Sequence, residues 1–151
     1  MFITIKPIPP IDIRQATDED FDFLYAMHIA TMKDYVDQIW GWDDAFQESL
    51  FRERYIPNQN QVITFEGKDI GMIFLEERTD DVLLRAIEIL PTHQGQGIGT
   101  RIIQVIIDDA ASKQKPVSLS VLKGNPAKSL YERLGFSVIE ETDPRFFMKT
   151  S

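Results

Sequence analysis

The 151-residue sequence predicts a mixed α/β fold, an α+β arrangement of helices around one mixed sheet in the order βααβββαβαββ. Three observations carry that reading. Apolar residues recur at helical spacing between Phe21 and Phe51, at a period of two between Val62 and Leu90, and in alternating helical and extended runs from there to Lys149. Hydrophobic residues make up 43% and charged residues 26%, the mix of a soluble globular chain, and the length is that of one domain, read as 1–151.

Ile11 to Arg14 is a short extended run. Thr17, three residues before Asp20, has the N-cap pattern of a helix with an acidic first turn. Phe21, Leu24, Tyr25 and His28 then follow at i, i+3, i+4 and i+7, one face of a helix running to about Val36 or beyond. Gln38-Ile39-Trp40-Gly41-Trp42 reads as an aromatic connection, with Asp43 or Asp44 capping a second helix that carries Ala45, Phe46, Leu50 and Phe51. Val62–Phe65 and Ile70–Leu75 flank the turn Glu66-Gly67-Lys68-Asp69 as a hairpin. Val82–Leu90 is a third strand, stopped by Pro91. Gly95, Gly97 and Gly99 lead into a helix carrying Ile98, Ile102, Val105 and Ile106, and Ile103 and Ile107 make it apolar on a second face, so it should be well buried. Val117–Leu122 is another strand and Pro126–Leu134 a short helix ended by Gly135. Phe136–Ile139 and Phe146–Lys149 close the sheet.

Composition excludes several classes of function. The absence of cysteine rules out a disulfide framework, a thiolate metal site and a cysteine nucleophile. Sixteen basic against 24 acidic side chains, net −8, argue against nucleic acid or an anionic membrane as partner. The charge is uneven: residues 1–90 hold 8 basic and 18 acidic side chains (net −10), residues 91–136 hold 6 and 3 (net +3). Met1–Pro10 contains no apolar run of signal-peptide length and nowhere do about 18 apolar residues follow one another, so a cytoplasmic location is expected. No pairing of histidine with carboxylates has metal-ligand spacing, and no metal is expected.

The most informative segment is Gln94-Gly95-Gln96-Gly97-Ile98-Gly99-Thr100, between a strand and a helix. Successive backbone N–H groups and the helix dipole there favour an anion, and glycine lets the backbone approach phosphate oxygens. The same turn also reads as a plain tight connection that needs positive φ. A P-loop would require Gly-Lys-Ser/Thr, but Gly99 is followed by Thr100-Arg101; a dinucleotide fingerprint would require glycine where Thr100 stands. The pattern Gln-x-x-Gly-x-Gly at Gln94, Gly97 and Gly99, after the strand Arg85–Pro91, resembles the acyl-coenzyme A signature of the GNAT superfamily of N-acetyltransferases. Downstream, Asn125 followed by Ala127-Lys128-Ser129-Leu130-Tyr131-Glu132-Arg133-Leu134-Gly135-Phe136 is similar to that superfamily's Asn…Ala-x-x-Leu-Tyr-x-x-x-Gly-Phe element. Asn125 stands six residues before Tyr131 where the family more often has seven, the position of Gly124 here.

The resemblance implies the GNAT-like acyl-CoA N-acyltransferase fold with a centrally splayed sheet. It implies acetyl-CoA as acyl donor and a primary amine of a small molecule or peptide as acceptor, joined by direct attack in a ternary complex. It places the pyrophosphate on the backbone of Gln94, Gly95, Gln96, Gly97, Ile98, Gly99 and Thr100. The pantetheine arm would pair with the main chain of Ile87 to Leu90, Ile89 included, with Asn125 and Tyr131 beside it. Two other readings compete: a non-catalytic acyl-CoA sensor or interaction module, and a nucleotide-binding protein using the glycine loop.

The chemistry of acyl transfer to an amine wants a base for the ammonium and an acid for the departing thiolate. Tyr131 fits the acid, since a phenol stays protonated at pH 7; its position with Ala127, Leu130 and Leu134 equally fits a core aromatic. Glu88, the only acidic side chain in Val82–Leu90, is the base candidate, against the alternative of a strand residue paired with Arg85 or a nearby lysine. Ordered water could replace a dedicated base. His28 reads as core and His93 as a turn residue. The acceptor side falls to the first two helices and their connection. Trp40 and Trp42 are candidates to sandwich a cation, or to serve as packing plugs or contacts of a homodimer. The −10 of residues 1–90 favours a cationic amine, whereas an unpaired Arg85 would select a carboxylate.

Overall fold

The computed structural model describes residues 8–57 and 59–151, so residues 1–7 of the Met1–Pro10 leader reading lie outside the described residues. Strand β1 (Ile11–Gln15) leads through Thr17, whose N–H donates to the Asp20 carboxylate at 2.8 Å, into a 3-10 turn, Asp18–Asp20. That turn feeds helix α1 (Phe21–Trp40), which buries Phe21, Leu24, Met27 and Val36. The helix continues past Val36 because nothing breaks it before Gly41, whose φ of 78° lets the chain leave while its N–H caps Asp37 O at 3.0 Å. Trp40 therefore lies in the last turn of α1, not in a connection. Asp43 is the cap of helix α2 (Asp44–Arg54), accepting from Phe46 N–H at 2.8 Å.

Strands β2 (Asn60–Phe65) and β3 (Lys68–Glu77) form a hairpin whose loop, Glu66-Gly67, takes φ values of 51° and 82°. Both being positive, this is the turn whose twist suits a two-residue hairpin. Strand β4 (Val82–Ile89) is followed by a 3-10 turn, Pro91–His93, and by helix α3 (Ile98–Ser112). Strand β5 (Val117–Leu122), helix α4 (Ala127–Arg133), strand β6 (Ser137–Glu141) and strand β7 (Arg145–Lys149) complete the predicted order.

The seven strands lie in the order β1-β2-β3-β4-β5-β7-β6, antiparallel except for β4 with β5. Alternation along the strands sorts side chains onto two faces. Under α3, whose Ile102, Ile103 and Ile106 are buried, lie Leu84, Leu119, Val121 and Met148. Under α1, Leu24 and Met27 pack on Val62, Met72, Ala86 and Leu90. Helix α2 adds no buried residue and rests on a ring cluster, Phe21 with Phe51 and Tyr55 at 5.5 Å each.

The feature that positions the site is a split in the sheet. Strands β4 and β5 pair only at Val82↔Val117 and Leu83↔Ser118; beyond that point β4 stays with β3 and β5 with β7. The base of the split is pinned by Asp81, which accepts from Arg78 Nε and Nη2 at 2.6 Å and from Ser118 Oγ at 2.7 Å.

Candidate functional site

The glycine loop stands at the mouth of this split. Gly95 and Gly97 have φ of 75° and 81°, which side chains other than glycine adopt with strain, and a Cβ at either would meet no protein atom within 4 Å. The loop thus borders open space. Arg101 makes the first backbone bond of α3, to Gly97 O at 3.1 Å, which leaves the N–H groups of Gly95 to Thr100 without a backbone acceptor among the described residues. Gly99 serves a different end: a Cβ there would come within 3.4 Å of Ile89 Cδ1, so glycine lets α3 lie close to β4. Gln94 reaches back, its Nε2 donating to Ile89 O at 2.8 Å, and Gln96 Nε2 donates to Thr92 O at 3.2 Å.

Along β4 the main-chain groups alternate in direction. Leu90 N–H donates to Ile70 O at 2.8 Å, so Leu90 and Glu88 turn their main chain to β3, and Ile87 and Ile89 turn theirs to the split. The N–H of Leu90 is therefore already committed, and so is the carbonyl of Ile89, leaving Ile87 and the N–H of Ile89 to face the gap.

Glu88 is 7% exposed on the face covered by α1. Its Oε2 is 2.9 Å from His28 Nδ1, while Oε1 is buried with no hydrogen-bond partner. A buried carboxylate oxygen without a donor is a costly arrangement and a strong acceptor for an ammonium or a water. The alternative in which Glu88 pairs with Arg85 does not hold, because Arg85 Nε donates to Glu76 Oε1 at 2.8 Å and its guanidinium lies over Phe74. Arg85 is thus not the unpaired cleft arginine that would select a carboxylate.

Tyr131 is held by the end of its own helix. Gly135, with φ of 103°, donates to Glu132 O at 3.2 Å and Phe136 N–H to Tyr131 O at 3.0 Å, the paired bonds of a Schellman end. The Phe136 ring packs edge-on against Tyr131 at 5.8 Å. Burial, and after it the nearby charge of Glu88, push the Tyr131 hydroxyl up to about 12. A phenol so placed stays protonated throughout the neutral range. Asn125 accepts from Ala127 N–H at 2.9 Å, which commits its side-chain oxygen to the start of α4.

The two tryptophans face different cations. Trp40, 56% exposed, lies 5.8 Å from the Arg145 guanidinium, whereas Trp42 donates from Nε1 to Asp44 at 2.7 Å and lies 6.4 Å from His28 and 6.0 Å from Lys33 Nζ. Among the described residues they make no ring contact with each other. His28 and Arg145 are the two site residues that sequence reasoning missed. A titratable side chain on the inner face of a helix was the available signal for His28; nothing marked Arg145. A cavity of about 530 Å³ lined by Ile107, Pro116, Leu134 and Thr150 lies at the opposite end of β5 and shares no residue with this site.

The family model described as "Acetyltransferase (GNAT) domain" matches residues 57–138. The chain belongs to the GNAT acetyltransferase family. Within this GNAT chain the match covers the split, the glycine loop, Glu88 and Tyr131, and leaves out α1, α2 and Arg145. A curated relative, the [ribosomal protein bS18]-alanine N-acetyltransferase of Haemophilus influenzae, is 32% identical over 89 residues, 58% of this chain and 59% of that protein. The chain thus spans about three-fifths of the length of the curated relative it matches. Among solved structures, the PaiA N-acetyltransferase of Thermoplasma acidophilum in complex with coenzyme A superimposes with a TM-score of 0.75 at 20% identity, over 93% of this chain and 98% of that one. The ribosomal-protein-S18-alanine N-acetyltransferase of Escherichia coli gives 0.66 at 23% identity, over 93% and 92%. These likenesses establish the GNAT fold of the chain. Among its described residues no helix is long and apolar enough to cross a membrane, and no group of three His, Asp or Glu could hold a metal ion.

Proposed function

We propose that this GNAT chain moves the acetyl group of acetyl-CoA to a primary amine of a small molecule or peptide by direct attack in a ternary complex. The observation that carries the reading is the convergence at one split: unpaired N–H groups of Gly95 to Thr100 at its mouth, and Glu88 and Tyr131 beside it. The loop can receive the pyrophosphate, and the main chain of Ile87 and Ile89 can receive the pantetheine arm as an added strand.

With the thioester carbonyl lying in the split, Glu88 takes a proton from the incoming ammonium, directly or through a water on Oε1. His28 on Oε2 fixes the carboxylate's orientation. The freed nitrogen attacks the thioester carbon, the C–N bond forms and the C–S bond breaks. Tyr131 donates its O–H proton to the departing thiolate, the second proton of the attacking nitrogen, shed as the amide forms, passes through water to the phenolate, and the proton held by Glu88 leaves to solvent. A relative named for alanine N-acetylation of a ribosomal protein supports a peptide amine as one acceptor class. The test is release of free CoA thiol with a panel of amines. Tyr131→Phe and Glu88→Gln should each lower turnover with acetyl-CoA affinity retained; equal turnover in both variants would refute the assignment.

A further inference from the structure

The acceptor side of the split carries an arginine with no carboxylate. Leu119 and Val121 of β5 and Phe146 and Met148 of β7 belong to the core under α3, so Ser120 and Arg145 face the other way, toward α1 and α2. That is the face on which Glu88 meets His28 of α1. Since β4 and β5 part after Leu83, Glu88 and Arg145 stand on one face on opposite banks of the split.

The surroundings of Arg145 are unlike those of the other arginines near the sheet. Arg14, Arg78 and Arg85 each hold a carboxylate within 3 Å. Arg145 is half-buried, and its contacts are Ser120 Oγ at 3.4 Å from Nη1 and the Trp40 ring at 5.8 Å from Cζ. Its charge is disfavoured by burial and then by Arg54, a second cation at the end of α2. Among the described residues neither arginine has a carboxylate within 4 Å, in a chain with 24 acidic side chains. A guanidinium offers a fork of N–H donors matched to a carboxylate, and most of this one is unused.

We infer that Arg145, with Arg54 beside it and Trp40 against it, is an anchor for a carboxylate on the acceptor, so that the acceptor carries an acid as well as the amine. The inference rests on the acetyl-transfer reading above and names the acceptor class for it. It points the opposite way from the cationic acceptor that the −10 of residues 1–90 favours. Exposed charges are screened within about 8–10 Å, whereas an unpaired, half-buried guanidinium acts at contact. A free amino acid, through its own carboxylate, and a peptide N-terminus followed by an acidic side chain both present this chemistry.

The test compares acid and amide partners. Initial rates at saturating acetyl-CoA are measured for free glutamate against glutamine and glycine against glycinamide, and for Ala-Glu and Ala-Asp peptides, amidated at the C-terminus, against Ala-Gln and Ala-Asn. Binding of the same probes to the CoA-loaded full chain is followed by calorimetry. The expected result is a preference of ten-fold or more in kcat/KM for the acid in one of the two sets, carried by KM. The set that shows it identifies the source of the carboxylate. Arg145→Gln should erase the ratio and Arg145→Lys should restore part of it. Acetylation without any acid preference, or a preference for spermidine that Arg145→Gln leaves intact, overturns the anchor and leaves acetyl transfer standing. Acid-selective binding lost in Arg145→Gln but with no probe acetylated would support the anchor and count against the transfer.

Discussion

Tyr131 makes two demands that can be separated experimentally. Its ring packs on Phe136 and the proposed mechanism uses its hydroxyl as the acid, so Tyr131→Phe should leave thermal stability nearly unchanged while turnover falls roughly 10²- to 10⁴-fold. Because the hydroxyl is pushed up to about 12, its neutral form persists well above the ordinary phenol value of about 10. The sign is that of a raised acid: the folded protein holds this proton more tightly than the unfolded chain. Stability referable to Tyr131 is thus full below about pH 10 and declines as pH rises toward 12. Turnover should accordingly show no alkaline fall from Tyr131 between pH 7 and 10, and Tyr131→Phe should leave the shape of the profile in that range unaltered; a fall in the wild type that the variant abolishes would contradict the shifted value. Glu88 and His28 are paired at 2.9 Å, so under the proposed mechanism Glu88→Gln should lower turnover while acetyl-CoA affinity is retained. His28→Asn, which keeps a donor near Oε2, should retain more activity than His28→Ala. Of these residues, Tyr131 and Glu88 were legible because the first ends a recognisable local motif and the second is the lone acid in an apolar strand. The partnership with His28 was not, since 60 residues separate the two and only the packing of α1 on β4 joins them.

The glycine loop and the base of the split make their predictions at the scale of elements. Gly97 has φ of 81° and open space where a Cβ would point, so Gly97→Val should both strain the loop, by about 1–2 kcal/mol, and fill the space a phosphate would occupy. Calorimetry should show acetyl-CoA affinity reduced; undiminished affinity would place the pyrophosphate elsewhere. Asp81 ties the start of β4 to β5, and Asp81→Asn should cost about 1–3 kcal/mol in denaturant melts at pH 7. Hydrogen bonds from Arg78 hold the Asp81 carboxyl below the usual carboxylate range, against its burial and with help from Ser118. Its contribution is therefore present above about pH 4 and lost as pH falls through the lowered value, so the gap between wild type and Asp81→Asn should narrow in acid. Elements bounded by local signals were well read: the hairpin at Glu66-Gly67, the cap at Asp43 and the helix end at Gly135. The reading of Gln38 to Trp40 as part of a connection is what the structure corrects, because the aromatic run before Gly41 has no helix breaker in it and Trp40 sits on the helix.

At the scale of the whole molecule, function follows from a sheet that comes apart in the middle. Among the described residues the order β1-β2-β3-β4-β5-β7-β6 puts the only parallel pair where the split opens, with the glycine loop and Glu88 following from the β4 bank and Tyr131 and Arg145 from the β5–β7 bank. That convergence explains why charge arithmetic along the sequence and the surroundings of Arg145 point to different acceptors. The acids of residues 1–90 are spread over two helices, three strands and the turns between them, several of them paired with basic side chains, whereas Arg145 comes from the last strand and holds no carboxylate. Arg85 misled in the opposite sense, because its partner Glu76 is set by the β3–β4 register and not by proximity in sequence. The central claim is that the split is a site of acetyl transfer and not of acyl-CoA binding alone. Its most direct test is mass spectrometry of the chain incubated with acetyl-CoA and amines bearing a carboxylate. N-acetylated product should appear in equal amount with free CoA, and both should fall together in Tyr131→Phe; tight binding of acetyl-CoA with no CoA released to any amine would contradict the account.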